Sequence, residues 1–230
     1  MKKIGIIFAM EEELKELLKY LDIKKTTTKY NLKFYEGIIE NNECILVQSG
    51  VGKVNAARTA QCLIDNFEID YLFNIGVAGG ITKNLNVFDI VIAEKLVQHD
   101  FDITAFNHEK GYIPDLGVYI NSDEKLVKLA KKTIMSNNKY KVHSGVIASG
   151  DIFCTDDKMT KEINKEFDAI CVEMESASIA QVATLSNIPF LILRSISDTP
   201  NNNNVITYDT FLEKSCINIA EAMKKLINEL

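Results

Sequence analysis

Five short stretches of this sequence place reactive side chains just after an apolar, β-branched run: Ala9-Met10-Glu11-Glu12-Glu13, Gly76-Val77-Ala78-Gly79-Gly80, Ser149-Gly150-Asp151-Ile152-Phe153-Cys154, Glu173-Met174-Glu175-Ser176 and Arg194-Ser195-Ile196-Ser197-Asp198. Four of the five carry carboxylates and one carries an arginine, which together outline a carboxylate-rich pocket. Each piece also has a plain reading. Glu11–Glu13 open a helix, where the dipole favours acids, and Glu173 and Glu175 could solvate the first turn of another. Asp198 before Thr199-Pro200 is an ordinary turn or cap residue. Arg194 is harder to explain away, because an unpaired guanidinium on an apolar strand is very costly; it should pair with a carboxylate from a neighbouring strand end.

Composition limits the chemistry further. The chain has 230 residues, 32 acids against 26 bases and a net charge of −6; only two of the bases, Arg58 and Arg194, are arginine. Two arginines cannot build the forked clusters that hold several phosphates, and an acidic balance argues against a nucleic-acid partner. At 47% apolar and 25% charged, the composition is that of a globular protein with a substantial core. Five scattered cysteines without a C-x-x-C pair suit reduced thiols in the cytoplasm. Three histidines at non-ligating spacing give a metal little support, and no cofactor is implied. The opening MKKIGIIFAM runs straight into three glutamates, so it reads as a first strand rather than a signal peptide. The uncharged stretch from Ser176 to Leu193 contains Gln181, Asn187 and Pro189, and reads as helix, turn and strand rather than a membrane span.

The elements that must position these residues alternate. Strands are expected at Lys3–Met10, Tyr71–Ile75, Asp89–Ala93, Val142–Ala148, Ala169–Val172 and Phe190–Ser195, with a hairpin of Lys33–Ile39 and Cys44–Gln48 turning at Asn41-Asn42. Helices are expected at Glu12–Leu21, from Lys53 to about Phe67, around Asp123–Met135, at Ser176–Leu185 and from about Thr207. Asn201–Asn204 reads as a polar loop, too short to separate domains. This pattern predicts a single domain over residues 1–230, a three-layer α/β/α fold with a central mixed sheet flanked by helices. In such folds ligands sit beyond the carboxyl ends of the strands, which is where the five stretches lie. Two glycine-rich loops fail as phosphate motifs: Ser49-Gly50-Val51-Gly52-Lys53-Val54 lacks the P-loop glycine and Ser/Thr, and Gly76–Gly80 matches no fingerprint.

AMEEE, SGVGKVNAA, IGVAGG, SGDIF, VEMES and RSISD, in that order, resemble the 5′-methylthioadenosine/S-adenosylhomocysteine nucleosidases of the nucleoside phosphorylase superfamily. The resemblance runs from Ile4 to the last helix, and AMEEE points to the nucleosidase side. It implies a nucleoside phosphorylase-like fold and hydrolysis of an N-glycosidic bond, in methylthioadenosine, S-adenosylhomocysteine and 5′-deoxyadenosine. The role would be methionine salvage and removal of S-adenosylmethionine by-products. It implies Asp198 as the acid that protonates the departing adenine and Glu13 as the base that activates water. Glu175 would bind the ribose hydroxyls, Glu173 would be a further substrate-binding residue, Arg194 would pair the charge of the carboxylates, and Ser197 would orient Asp198. Phe153 and Cys154 would read the purine, while Met10, Gly79 and Met174 would line the site and Tyr208 would close the alkylthio end. The resemblance also implies a homodimer in which Phe106 and Pro114 reach the neighbouring site. Val77, Tyr208 and Cys154 depart from the usual residues of the family, which bears on tail size and turnover.

Three rival readings stand beside this one. An aminodeoxyfutalosine hydrolase would keep the chemistry and change the 5′ substituent. A phosphorylase would have to place a dianion against Glu11–Glu13, which Coulomb repulsion opposes. A non-catalytic nucleoside-binding module would have no need of both an acid and a base.

Overall fold

The computed structural model describes residues 1–135, 140–199 and 204–230, with the side chains of 204–210 outside the description. Among the described residues, ten strands form one sheet: β1 (Lys3–Phe8), β2 (Asp22–Lys29), β3 (Leu32–Ile39), β4 (Asn42–Gln48), β5 (Tyr71–Gly80), β6 (Ile90–Gln98), β7 (Ile120–Asn121), β8 (Val142–Ser149), β9 (Ala169–Glu173) and β10 (Phe190–Asp198). Six α-helices accompany them among the described residues: α1 (Glu11–Leu18), α2 (Lys53–Phe67), α3 (Glu124–Met135), α4 (Asp157–Phe167), α5 (Ser176–Leu185) and α6 (Asn204–Asn228).

The sheet is mixed, as expected, and one end of it closes. Strand β5 pairs in parallel with β1 and with β10, and antiparallel with the end of β9. Strand β10 continues through β6 and β8 to β9, so β5, β10, β6, β8 and β9 form a ring. From β1 the sheet runs outward through β4 and β3 to β2. Two large apolar clusters flank it, and a smaller one holds Ile163 and Phe167 of α4 against Val97, Ala148 and Ala169. Leu14 and Leu17 of α1, Leu126 and Ile134 of α3, and Ile219, Met223 and Leu226 of α6 pack on one face. Ala56, Ala60 and Leu63 of α2, with Ile179, Ala180 and Ala183 of α5, pack on the other. These are the three layers that the strand–helix alternation predicts.

Several boundaries differ from the sequence expectation, for physical reasons. Strand β10 runs on to Asp198 and β5 to Gly80, so the polar and glycine residues expected just beyond these strands lie within them. Mutual pairing holds both extensions: Arg194 sits opposite Gly76 and Asp198 opposite Gly79. Helix α1 stops at Leu18, and the chain turns into β2, an exposed edge strand rich in lysine and threonine with no apolar alternation to reveal it. Helix α4 was also hidden by its polarity; only Thr160, Ile163 and Phe167 are buried, and Asp156 caps it by accepting the Lys158 N–H at 2.9 Å. The β3–β4 turn falls at Glu40-Asn41, because Asn42 already pairs with Ile39. Residues 201–203 of the expected polar loop lie outside the described residues, while Asn204 already belongs to α6. No helix among the described residues is long and apolar enough to cross a membrane.

Candidate active site

The carboxyl ends of β1, β5, β8, β9 and β10 converge on a cavity of about 250 Å³. Ten of the residues singled out in the sequence line it: Met10 and Glu13 at the start of α1, Gly79 on β5, Phe153 and Cys154 after β8, Glu173 at the end of β9 with Met174 and Glu175 after it, and Ser197 and Asp198 on β10. Ala9, Val51, Val77, Ala78, Ile152 and Val172 complete a mostly apolar wall. Val51, Ile152 and Val172 carry no role in the sequence reading; the signal for them is their place within SGVGK, SGDIF and VEMES.

Glu13 is held by the turn that creates it. Strand β1 ends at Phe8, and Glu13, in the first turn of α1, folds back so that Oε2 accepts the N–H groups of Ala9 (2.9 Å) and Met10 (3.0 Å). Its Oε1 accepts the Val77 N–H of β5 at 3.0 Å. Burial raises the Glu13 carboxyl above its ordinary pKa, against the opposing charge of Arg194 and these three N–H groups. Gly76 makes the approach possible. A Cβ there would overlap Glu13 Oε1 and lie 3.0 Å from Arg194 Nη1.

Arg194 is 1% exposed and finds the partner that its burial demanded. Its Nη2 donates to Glu173 Oε2 and to Ser176 Oγ, each at 2.8 Å, and to Asn74 Oδ1. The pairing spans the ring from β10 to the end of β9, not between adjacent strands. Glu173 is fully engaged: Oε2 also accepts the N–H groups of Glu175 (3.1 Å) and Ser176 (2.9 Å), and Oε1 accepts from Ser149 Oγ. Burial alone would raise this carboxyl, but the charge and hydrogen bonds of Arg194, with those of Ser149 and Ser176, hold it below its ordinary range. Glu173 therefore anchors Arg194 and the first turn of α5. Asn74, Ser149 and Ser176 belong to the same network without having been singled out. The signal for Asn74 was one amide in the middle of an apolar strand, which must be paired when buried.

Glu175 and Asp198 are differently placed. Glu175 Oε1 accepts the Gly52 N–H at 2.8 Å, and burial, reinforced by the charge of Glu173, pushes its carboxyl up to about 7. Asp198 is 4% exposed, and its Oδ1 accepts from Ser197 Oγ at 2.8 Å. Burial raises its pKa, opposed only by that hydrogen bond. Gly79 leaves room for it, since a Cβ there would lie 3.2 Å from Asp198 Oδ2. Glu13 is tied to Val77 and Asp198 sits opposite Gly79, so the two carboxyls are anchored two residues apart on β5, about 7 Å along the strand.

The remaining predicted residues lie elsewhere. Phe106, on a 3₁₀ turn at Thr104–Phe106, is 75% exposed, and Pro114 is exposed; neither lines the cavity of the single chain. Tyr208 falls on α6, but its side chain lies outside the described residues. Arg58 donates to the Tyr30 carbonyl at 3.3 Å on the surface, away from the carboxylates.

The phosphorylase superfamily model matches residues 3–228. The 5′-methylthioadenosine/S-adenosylhomocysteine nucleosidase of Bacillus subtilis (strain 168) is 38% identical over 229 residues, covering 99% of each chain. Among solved structures, the nucleosidase of that name from Neisseria meningitidis, in complex with methylthio-immucillin-A, superposes with a TM-score of 0.95 at 34% identity, over 100% of both chains. A futalosine hydrolase mutant of Helicobacter pylori gives a TM-score of 0.95 at 35% identity, again over 100% of both. Matching in sequence over nearly its full length, and in overall fold, the chain belongs to the phosphorylase superfamily, within its family of 5′-methylthioadenosine/S-adenosylhomocysteine nucleosidases.

Proposed function

We propose that this protein hydrolyses the N-glycosidic bond of 5′-methylthioadenosine and S-adenosylhomocysteine, and of 5′-deoxyadenosine, releasing adenine and the corresponding 5-thioribose or ribosyl product. The observation that carries the mechanism is the pair of buried carboxyls, Glu13 and Asp198, anchored about 7 Å apart along β5 with raised proton affinity. Such a bond breaks through a ribosyl cation-like transition state. It needs an acid at the leaving purine and a base at the incoming water. Asp198 holds the proton for adenine N7, and its raised pKa keeps that proton available. Glu13 takes a proton from water, and its raised proton affinity makes it a stronger base than a surface carboxylate. Glu175 accepts the ribose hydroxyls and sets negative charge under the developing cation, where the interaction strengthens as the bond breaks. Arg194 keeps the cluster of acids from repelling one another and Ser197 orients Asp198. Phe153 and Cys154 form the purine wall, Met10, Gly79 and Met174 line the sugar and sulfur region, and Tyr208 closes the tail end.

Water rather than phosphate is supported by the charge balance. The one arginine near the cavity is already bound to Glu173, and a phosphate dianion would face Glu13. The active unit in this reading is a homodimer of nucleosidase domains, each spanning residues 1–230, in the cytoplasm. Phe106 and Pro114 complete the partner's 5′ pocket, and the exposed Val51, Val54, Phe106 and Phe153 supply the apolar surface for that contact. The product serves methionine salvage and clears by-products of S-adenosylmethionine. A second reading, hydrolysis of aminodeoxyfutalosine at the same site, is favoured by the equally close futalosine hydrolase fold.

One assay separates these readings. The protein is incubated with methylthioadenosine or aminodeoxyfutalosine, with and without phosphate, and the base and sugar products are identified. Phosphate-independent release of adenine and a free sugar is expected. A strict phosphate requirement with a ribose 1-phosphate product would overturn the hydrolase reading.

A further inference from the structure

Beside the cavity, three residues that none of the catalytic roles uses close a ring. Lys53 Nζ lies 2.6 Å from Asp100 Oδ1; the Asp151 N–H donates to Asp100 Oδ2 at 2.9 Å; and the Lys53 N–H donates to Asp151 Oδ1 at 2.8 Å. Gln98 Oε1 accepts a further bond from Lys53 Nζ at 3.1 Å. The ring joins three separate elements: the start of α2, the loop after β6 and the loop after β8. The Lys53 and Asp100 side chains are 17% and 19% exposed, so the pair is shielded well beyond a surface ion pair. Burial would raise the Asp100 carboxyl, but Lys53 and the Asp151 N–H outweigh it and hold it below its ordinary range.

The residues next to the ring are the ones that face the nucleoside. Val51 and Gly52 precede Lys53; Val51 lines the cavity and the Gly52 N–H binds Glu175. Ile152, Phe153 and Cys154 follow Asp151 and line the opposite wall. Gly52 has φ +98°, and its missing Cβ would lie 3.1 Å from Asp151 Oδ1, so no side chain of its own caps α2 and the carboxylate of the other loop does so instead. Resting on the nucleosidase reading, we propose that Asp100, clasped to Lys53 and Asp151, is a positioning residue that fixes the Gly52–Glu175 side of the site against the Phe153 side and so sets affinity for the nucleoside. It touches no reacting atom. Its effect passes through the spacing of two loops that hold the sugar and the purine.

The test uses Asp100→Asn, Lys53→Met, their double variant and Lys53→Arg, in the full chain. Asp100→Asn and Lys53→Met are expected to raise KM for methylthioadenosine about tenfold, as loss of a charged hydrogen bond would, with kcat within about threefold. The double variant should be no worse than the weaker single one, and Lys53→Arg should recover most of the KM. Amide hydrogen exchange should quicken together in residues 50–54 and 149–154 of Asp100→Asn. A purely structural role would lower the unfolding midpoint and leave KM unchanged. That result, or exchange that quickens in one loop only, would overturn the proposal. Exchange needs no substrate, so a wild-type protein that released no adenine would overturn the nucleosidase reading while the clasp was decided separately.

Discussion

Gly76 and Glu13 compete for one space: a Cβ on Gly76 would overlap Glu13 Oε1, the oxygen that accepts the Val77 N–H. The proposed general base is therefore positioned by a residue that lacks a side chain, and Gly76→Ala should act as a mutation of Glu13. The expected outcome is a fall in kcat of about a hundredfold, since displacement by about 1 Å has that effect in a preorganised site. Steady-state kinetics on a folded variant checks it, and a kcat near that of the parent would separate Glu13 from the chemistry.

Direct removal of the proposed acid or base should be equally costly. Glu13→Gln and Asp198→Asn keep shape and lose proton transfer, so each should lower kcat by at least about a hundredfold. Near-normal turnover in either variant would take that residue out of its role.

The buried pair of Arg194 and Glu173 is expected to matter for folding as well as for the site. Arg194→Met leaves Glu173 without its counter-charge, and breaking a buried pair by removing one partner costs about 3–5 kcal/mol. Denaturant unfolding of this variant should show a loss of that size. The pH dependence has a definite sign. The folded Glu173 carboxyl lies below its ordinary value, so its contribution is present above about 4.5 and is lost as the pH falls through the folded value. A loss below about 1 kcal/mol in Arg194→Met would contradict the pairing.

Glu175 has the opposite sign. Its folded pKa of about 7 lies above the ordinary 4.5, so folding favours the protonated form. Its contribution is complete below pH 4.5 and is lost as the pH rises through about 7. Glu175→Gln mimics the neutral carboxyl at every pH. Its unfolding midpoint should match the parent at pH 4.5 and exceed it by at least about 3 °C at pH 8. A variant less stable than the parent at pH 8 would contradict the burial of this charge.

Much of the site was legible in the chain because its residues follow apolar strands, and strand ends are where such folds bind ligands. Arg194 announced itself, since a guanidinium in an apolar run must have a buried partner. Its partner Glu173 was visible as an acid after another strand, but the ring closure that brings β9 across to β10 depends on pairings between β5, β10 and β6 that no local pattern encodes. Strand β2 and helix α4 escaped for a related reason. Both are exposed along most of their length, so hydrophobic periodicity had little to report. The clasp of Lys53, Asp100 and Asp151 was illegible because each of its residues reads singly as surface charge. Only the fold sets them side by side.

In the proposed reaction, water activated by Glu13 replaces the purine. The decisive measurement is turnover of methylthioadenosine in phosphate-free buffer made with heavy-oxygen water, with immediate chemical reduction of the sugar product and mass analysis. One labelled oxygen in the methylthioribose product, adenine free of label, and loss of the reaction in Glu13→Gln are expected. Release of unlabelled sugar, or turnover that begins only when phosphate is added, would contradict a water nucleophile at Glu13.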